Sequence, residues 1–179
     1  RELEHPTWGD VPNGQPFPAV NVTFDDARKF CEASVPGFRL PTVAEWELAA
    51  YGPRAERRVF PWGSIGLRAG KVEDEDVNMT MANIAYDLTK EGNRKGGKGP
   101  KHDLKSATGC FGGLSFSKSR NMVGNASEWC IDEKGAGIIV GGSWADTLES
   151  CARLDPGELH RFEYRKDTVG FRPVFRPKP

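Results

Sequence analysis

Apolar side chains at Phe24, Ala27, Phe30 and Cys31 recur at the three- and four-residue spacing of one helix face. Thr23 stands before them as an N-cap, and Asp26 places a carboxylate in the first turn. This pattern predicts an amphipathic helix over about residues 24–34, with Cys31 a buried thiol serving as a small hydrophobe. A second face is made by Val43, Trp46, Ala49 and Ala50. Thr42 and Glu45 form a capping box ahead of it, and Gly52-Pro53 stops the helix. Strand patterns are shorter. Pro18–Val22 reads as a short buried segment, Ile138-Ile139-Val140 as an apolar strand, and Val174-Phe175 as a last strand. The apolar strand leads into Gly141-Gly142-Ser143-Trp144, whose glycines allow close backbone approach. Pro6, Gly9, Pro12, Gly14, Pro16 and Pro18 give the first 22 residues an extended, irregular character.

Composition adds limits. The 179 residues fit one domain, 1–179, able to bury roughly two-thirds of its surface. With 25 basic and 25 acidic residues the net charge is zero, so bulk charge points to neither a nucleic-acid nor a membrane partner. No apolar run reaches the ~18 residues of a membrane span. The chain opens on Arg1 without a signal-peptide core, the expectation for a processed chain or a fragment, and its compartment is not read from a leader. The 21 glycines and 13 prolines make it loop-rich, and four cysteines are too few and too spread for a small disulfide framework. Glu73–Asp76 reads as a solvated acidic run. Gly92–Lys98 imitates a phosphate-binding loop, but Gly99 stands where Ser or Thr would hold magnesium, so nucleotide binding is rejected.

Candidate chemistry concentrates in Asn121-Met122-Val123-Gly124-Asn125-Ala126-Ser127-Glu128-Trp129. Asn121, Gly124, Ala126 and Glu128 offer side-chain and backbone oxygens, the hard donors calcium takes in shells of 6–8. A tight Gly-Asn turn with Glu128 capping local backbone is the other reading of the same spacing.

Taken together, four ordered segments resemble the formylglycine-generating-enzyme-like (sulfatase-modifying-factor) family. They are Arg39-Leu40-Pro41-Thr42 with Glu45-Trp46-Glu47, Phe60-Pro61-Trp62-Gly63, the Asn121–Trp129 stretch followed by Gly141-Gly142-Ser143-Trp144, and Gly170-Phe171-Arg172, and the helix at 24–34 matches a further segment of the family ahead of them. The resemblance runs from about residue 19 to residue 172. It departs at Ser127, where the family carries a bulky residue, and in the short stretch before residue 19. It implies an α+β, C-type-lectin-like fold: two helices, small antiparallel sheets and many loops. It also implies a structural Ca2+ held by Asn121, Gly124, Ala126 and Glu128. Asn83-Ile84 resembles the start of a second calcium site, with Asp87 and Asp103 as possible acidic partners.

Catalytic members of that family hold copper on a Cys-x4-Cys pair. Here Cys151 resembles the second cysteine, but Asp146 stands five residues earlier, so copper is not expected. Histidines 5, 102 and 160 are scattered, and His160 beside Arg161 reads as a surface pair. The resemblance therefore favours a non-catalytic, ligand-binding member, as among the variable proteins of diversity-generating retroelements. Its recognition surface is expected within Ala145–Thr168, with Asp146, Glu149, His160, Arg161, Phe162 and Tyr164 as candidates for a protein or small-molecule ligand. A solvated loop of mixed charge is the plainer reading of that stretch. A copper-dependent oxidase of a peptidyl cysteine, and an accessory domain of a larger assembly, are the alternatives for the whole chain. Cys130 and Cys151 are expected to be neighbours, bridged only in an oxidising compartment.

Overall fold

Both helices form where the apolar period places them: α1 spans Phe24–Ser34 and α2 spans Val43–Tyr51. The computed structural model describes residues 17–53, 59–63, 67–68, 71–72, 81–84, 114–146, 150–151, 158–159 and 164–176. Each helix starts in a reciprocal capping box. Thr23 accepts from the Asp26 amide at 3.1 Å while the Asp26 carboxylate accepts from the Thr23 amide at 3.1 Å, so Asp serves where Glu is usual. Thr42 and Glu45 repeat the device at 3.2 and 2.9 Å. Gly52, at φ 80°, ends α2 by donating to Leu48 O. The amides of Phe116 and Ser117 then satisfy the carbonyls of Ala50 and Ala49, at 3.1 and 3.0 Å.

The strands are short: β1 (Phe38–Arg39), β2 (Leu67–Arg68), β3 (Lys71–Val72), β4 (Ser127–Ile131), β5 (Gly137–Val140), β6 (Glu158–Leu159), β7 (Val169–Phe171) and β8 (Val174–Phe175). Among the described residues, β1 pairs with β8 and β2 with β3, while the main sheet has the order β6-β5-β4-β7. β4 and β5 form an antiparallel hairpin whose turn is fixed by Asp132 Oδ1, which accepts from the amides of Lys134 and Ala136. β7 joins the other edge of β4 in parallel, which requires a crossover, and Ala145–Thr168 supplies it.

Side chains alternate across the hairpin, and both faces are buried. Trp129 and Ile139 are cross-strand partners on the face covered by α1 and pack with Phe24, Ala27, Cys31, Leu40 and Val169. The Trp129 indole donates to Val22 O at 3.0 Å, so this core also secures the segment entering α1. Cys130 and Ile138 are partners on the opposite face and pack with Trp46, Ala50 and Tyr51 of α2 and with Met122. A third cluster is formed by Phe60, Ala82, Ile84, Val123 and Cys151, with Val59, Trp62 and Met81 packed against it. Among the described residues the architecture is the expected α+β arrangement of two helices, small sheets and loops. No described helix is long and apolar enough to cross a membrane.

Candidate functional site

The stretch before β4 turns sharply because several of its residues are left-handed: Asn121 at φ 55°, Gly124 at 73° and Asn125 at 67°. Asn tolerates that region better than most residues. Gly124 is also required for space, since a Cβ there would lie 2.4 Å from Asn83 O. Three segments clasp at this turn. The Gly124 amide donates to Gly141 O at 2.9 Å, the Asn125 amide to Asn83 O at 2.7 Å, and the Trp144 amide to Asn125 O at 3.0 Å. Asn83 Nδ2 donates to Asn125 Oδ1 at 3.0 Å, and both side chains are buried. Asn83-Ile84 therefore packs directly on the turn. Asp87 and Asp103 lie outside the described residues.

Glu128 is the second residue of β4, and its side chain is 8% exposed. Trp46 Nε1 donates to its Oε2 at 2.8 Å. Arg172 donates through Nη2 to Oε1 at 2.7 Å and through Nε toward both oxygens at 3.0 and 3.1 Å. The negative charge of Glu128 in turn pushes the Arg172 pKa above its ordinary value. Three motifs far apart in the chain thus meet at one carboxylate. Of the expected calcium donors, Asn121, Gly124 and Ala126 share the turn. Glu128 is their only anion, and a carboxylate offers about four acceptor directions. Three N–H groups, one from Trp46 and two from Arg172, already engage both of its oxygens, so a cation at the turn would have to displace them to gain the one charged donor of the set. The set does not fit calcium in this arrangement. The sequence reading missed both partners. The closing Gly-Phe-Arg was its one available signal, because a carboxylate followed by buried strand residues needs a cation from elsewhere.

The loop after β5 carries the second candidate. Asp146 Oδ2 accepts from Ser143 Oγ at 2.6 Å and from the Ser143 amide at 2.7 Å. Ser143 Oγ in turn accepts from the Ala145 amide at 3.2 Å. The Asp146 carboxylate therefore closes a local turn. Cys151 is buried against Gly142, where a Cβ would approach its Sγ to 2.2 Å. One thiol and one hard carboxylate are a poor donor set for Cu(I), which prefers soft sulfur ligands. Among the described residues, Cys31, Cys130 and Cys151 are not bridged to one another. Cys130 lies in the cluster beneath α2 and Cys151 in the cluster with Phe60, so the two thiols belong to different parts of the core. Burial first, and the nearby Glu128 next, push the Cys130 thiol well above its ordinary pKa.

Among the other surface candidates, Tyr164 is half-buried. Its ring stands edge-on to Trp129 at 6.4 Å and 85°, and Lys166 Nζ lies 5.6 Å from its centroid. Tyr164 thus anchors the end of the crossover in the core below α1. Glu149, His160, Arg161 and Phe162 lie outside the described residues.

Comparison with known proteins places these features. Residues 6–177 match the family described as the sulfatase-modifying factor enzyme 1-like domain. The chain is 32% identical over 174 residues to the inactive C-alpha-formylglycine-generating enzyme 2 of Bos taurus, covering 87% of this chain and 49% of that protein. It is 31% identical over 147 residues to the formylglycine-generating enzyme of Thermomonospora curvata, covering 82% of this chain and 41% of that protein. The chain thus spans about half the length of the curated relatives it matches. Among solved structures, CarF aligns with TM-score 0.63 at 20% identity, over 96% of this chain and 72% of that one. Variable protein 1 of Treponema denticola aligns with TM-score 0.59 at 18% identity, over 96% and 76%. These two likenesses establish the fold.

Proposed function

Because this chain belongs to the sulfatase-modifying factor enzyme 1-like family, we propose that it is a non-catalytic member that binds a protein or small-molecule ligand through the surface of residues 145–168. The observation that carries this reading is Asp146. The oxidase chemistry of the family would need a second thiol there to pair with Cys151, and Asp146 instead spends its carboxylate on Ser143 at 2.6 and 2.7 Å. Likeness to a relative named an inactive enzyme supports the same reading. So does the similar fold of a variable protein. The stretch suits recognition because its described parts are tied to the sheet, β6 to β5 and the segment before β7 to β4, and a segment held on a rigid scaffold is the usual site of recognition.

A copper-dependent oxidase of peptidyl cysteine is the second reading. It is favoured by the retained Cys151 and by relatives named formylglycine-generating enzymes. A Cu(I) titration beside a peptide-oxidation assay separates the two. The proposed reading expects neither stoichiometric copper nor turnover. Tight Cu(I) binding that Cys151→Ser abolishes, together with oxidation of a cysteine peptide, would establish the enzyme instead.

A further inference from the structure

We propose that Arg172 is an internal cation that takes the place of a metal at the Asn121–Glu128 turn, so that this turn is held closed without calcium. The geometry that carries this is the span of one guanidinium. Its Nη2 donates to Glu128 Oε1 at 2.7 Å and to Arg120 O at 3.0 Å. Arg120 immediately precedes Asn121, and Glu128 is the last residue of the expected donor set. Arg172 therefore ties the two ends of the turn together, the mechanical task a bound ion would perform. Its planar, permanently charged fork suits a carboxylate and a carbonyl at once.

Charge balance points the same way. Glu128 is the one anion in the donor set, and its carboxylate is almost fully buried. Paired with Arg172 it forms a neutral node, with Trp46 fixing the second oxygen at 2.8 Å. A divalent ion brought to the turn would meet neutral oxygens on one side and a guanidinium on the other. Binding would need Arg172 to leave, giving up its bonds to both Glu128 and Arg120. That exchange gives up hydrogen bonds already in place and leaves the Arg172 guanidinium without its anion, which is costly.

The test uses the whole chain, stripped of metal and verified as such by elemental analysis. Thermal unfolding is followed with chelator and with added calcium, for the wild type, Arg172→Gln and Glu128→Gln. The wild type is expected to hold no stoichiometric calcium and to keep its Tm in both conditions. Arg172→Gln, with Glu128 freed, is expected to lose Tm and to regain part of it in calcium. A site filled at a hundred times its Kd would raise the Tm by roughly 5–10 °C. Glu128→Gln is expected to show no calcium response. A wild type that carries calcium, or whose Tm falls on chelation and is restored by calcium, overturns the proposal. So does a folded Arg172→Gln indifferent to calcium, because the turn would then be no cation site at all. If Arg172→Gln does not fold, the wild-type arm decides alone.

Discussion

At the scale of single residues, Glu128 and Arg172 stabilise the fold chiefly by each preventing the other from being stranded. A buried pair often adds little over an apolar replacement of the same volume, but removing one member leaves an uncompensated charge at a cost of about 3–5 kcal/mol. Arg172→Ala should therefore lose most of that range in urea unfolding, because the Glu128 carboxylate is only 8% exposed. The paired change Arg172→Met with Glu128→Gln should cost clearly less than the two single changes added together. Simple additivity would show that the two side chains are not coupled. Gly142 makes a sharper case. Its φ of 65° and the 2.2 Å approach of a built Cβ to Cys151 Sγ are separate penalties. Gly142→Ala should cost about 2–4 kcal/mol in the wild type, from left-handed strain and overpacking together. In a Cys151→Ala background the steric part should fall away and the conformational part remain. An equal loss in both backgrounds would mean that the thiol does not limit this position.

Elements that depend on near neighbours were legible in the sequence, and those that depend on distant ones were not. α1 and α2 were readable from apolar period and capping residues, because both signals lie within one helical turn of what they specify. Thr42→Ala should accordingly cost about 1 kcal/mol, the ordinary worth of an N-cap. Glu45 does two tasks there, closing the box and holding Arg39 at 2.5 and 2.7 Å. The Arg39 guanidinium, helped by the Thr42 amide, draws the Glu45 pKa from 4.5 down to about 2. A depressed carboxylate contributes stability that is complete above its unfolded value and fades as pH falls through its folded value. Between about pH 4.5 and 2 the Tm should therefore drop. The drop should be smaller in Glu45→Gln, and modest in either case because both side chains are over a third exposed to solvent or close to it. An identical acid profile in the variant would remove Glu45 from the account. By contrast, the Glu128 partners lie 44 and 82 residues away, and nothing local announces either. The stretch leading to Glu128 read as a turn with oxygen donors. The turn is there, but its carboxylate is committed across the molecule. The pairing of β7 beside β4 was hidden for the same reason.

For the whole molecule, the consequence of that pairing is a crossover whose ends are rigid. At its start, Ser143 and Asp146 close a hydrogen-bonded turn. At its end, Tyr164 stands against Trp129, Lys166 O accepts from the amides of Asn21 and Val169, and Thr168 O accepts from the Ser127 amide. The positions named for recognition thus divide into two kinds that stability measurements can tell apart. Tyr164→Ala removes a ring packed on the core and should cost about 2–4 kcal/mol, whatever it does to binding. On the proposed reading, alanine at Glu149, His160, Arg161 or Phe162 should change stability by no more than about 0.5 kcal/mol. Those four substitutions should instead alter capture of whatever ligand the purified chain retains from a panel of peptides and small molecules. Urea unfolding of all five variants beside the panel decides the matter. Should the four prove as destabilising as Tyr164→Ala while binding is untouched, residues 145–168 would be framework, and the recognition surface would have to be sought elsewhere on the molecule.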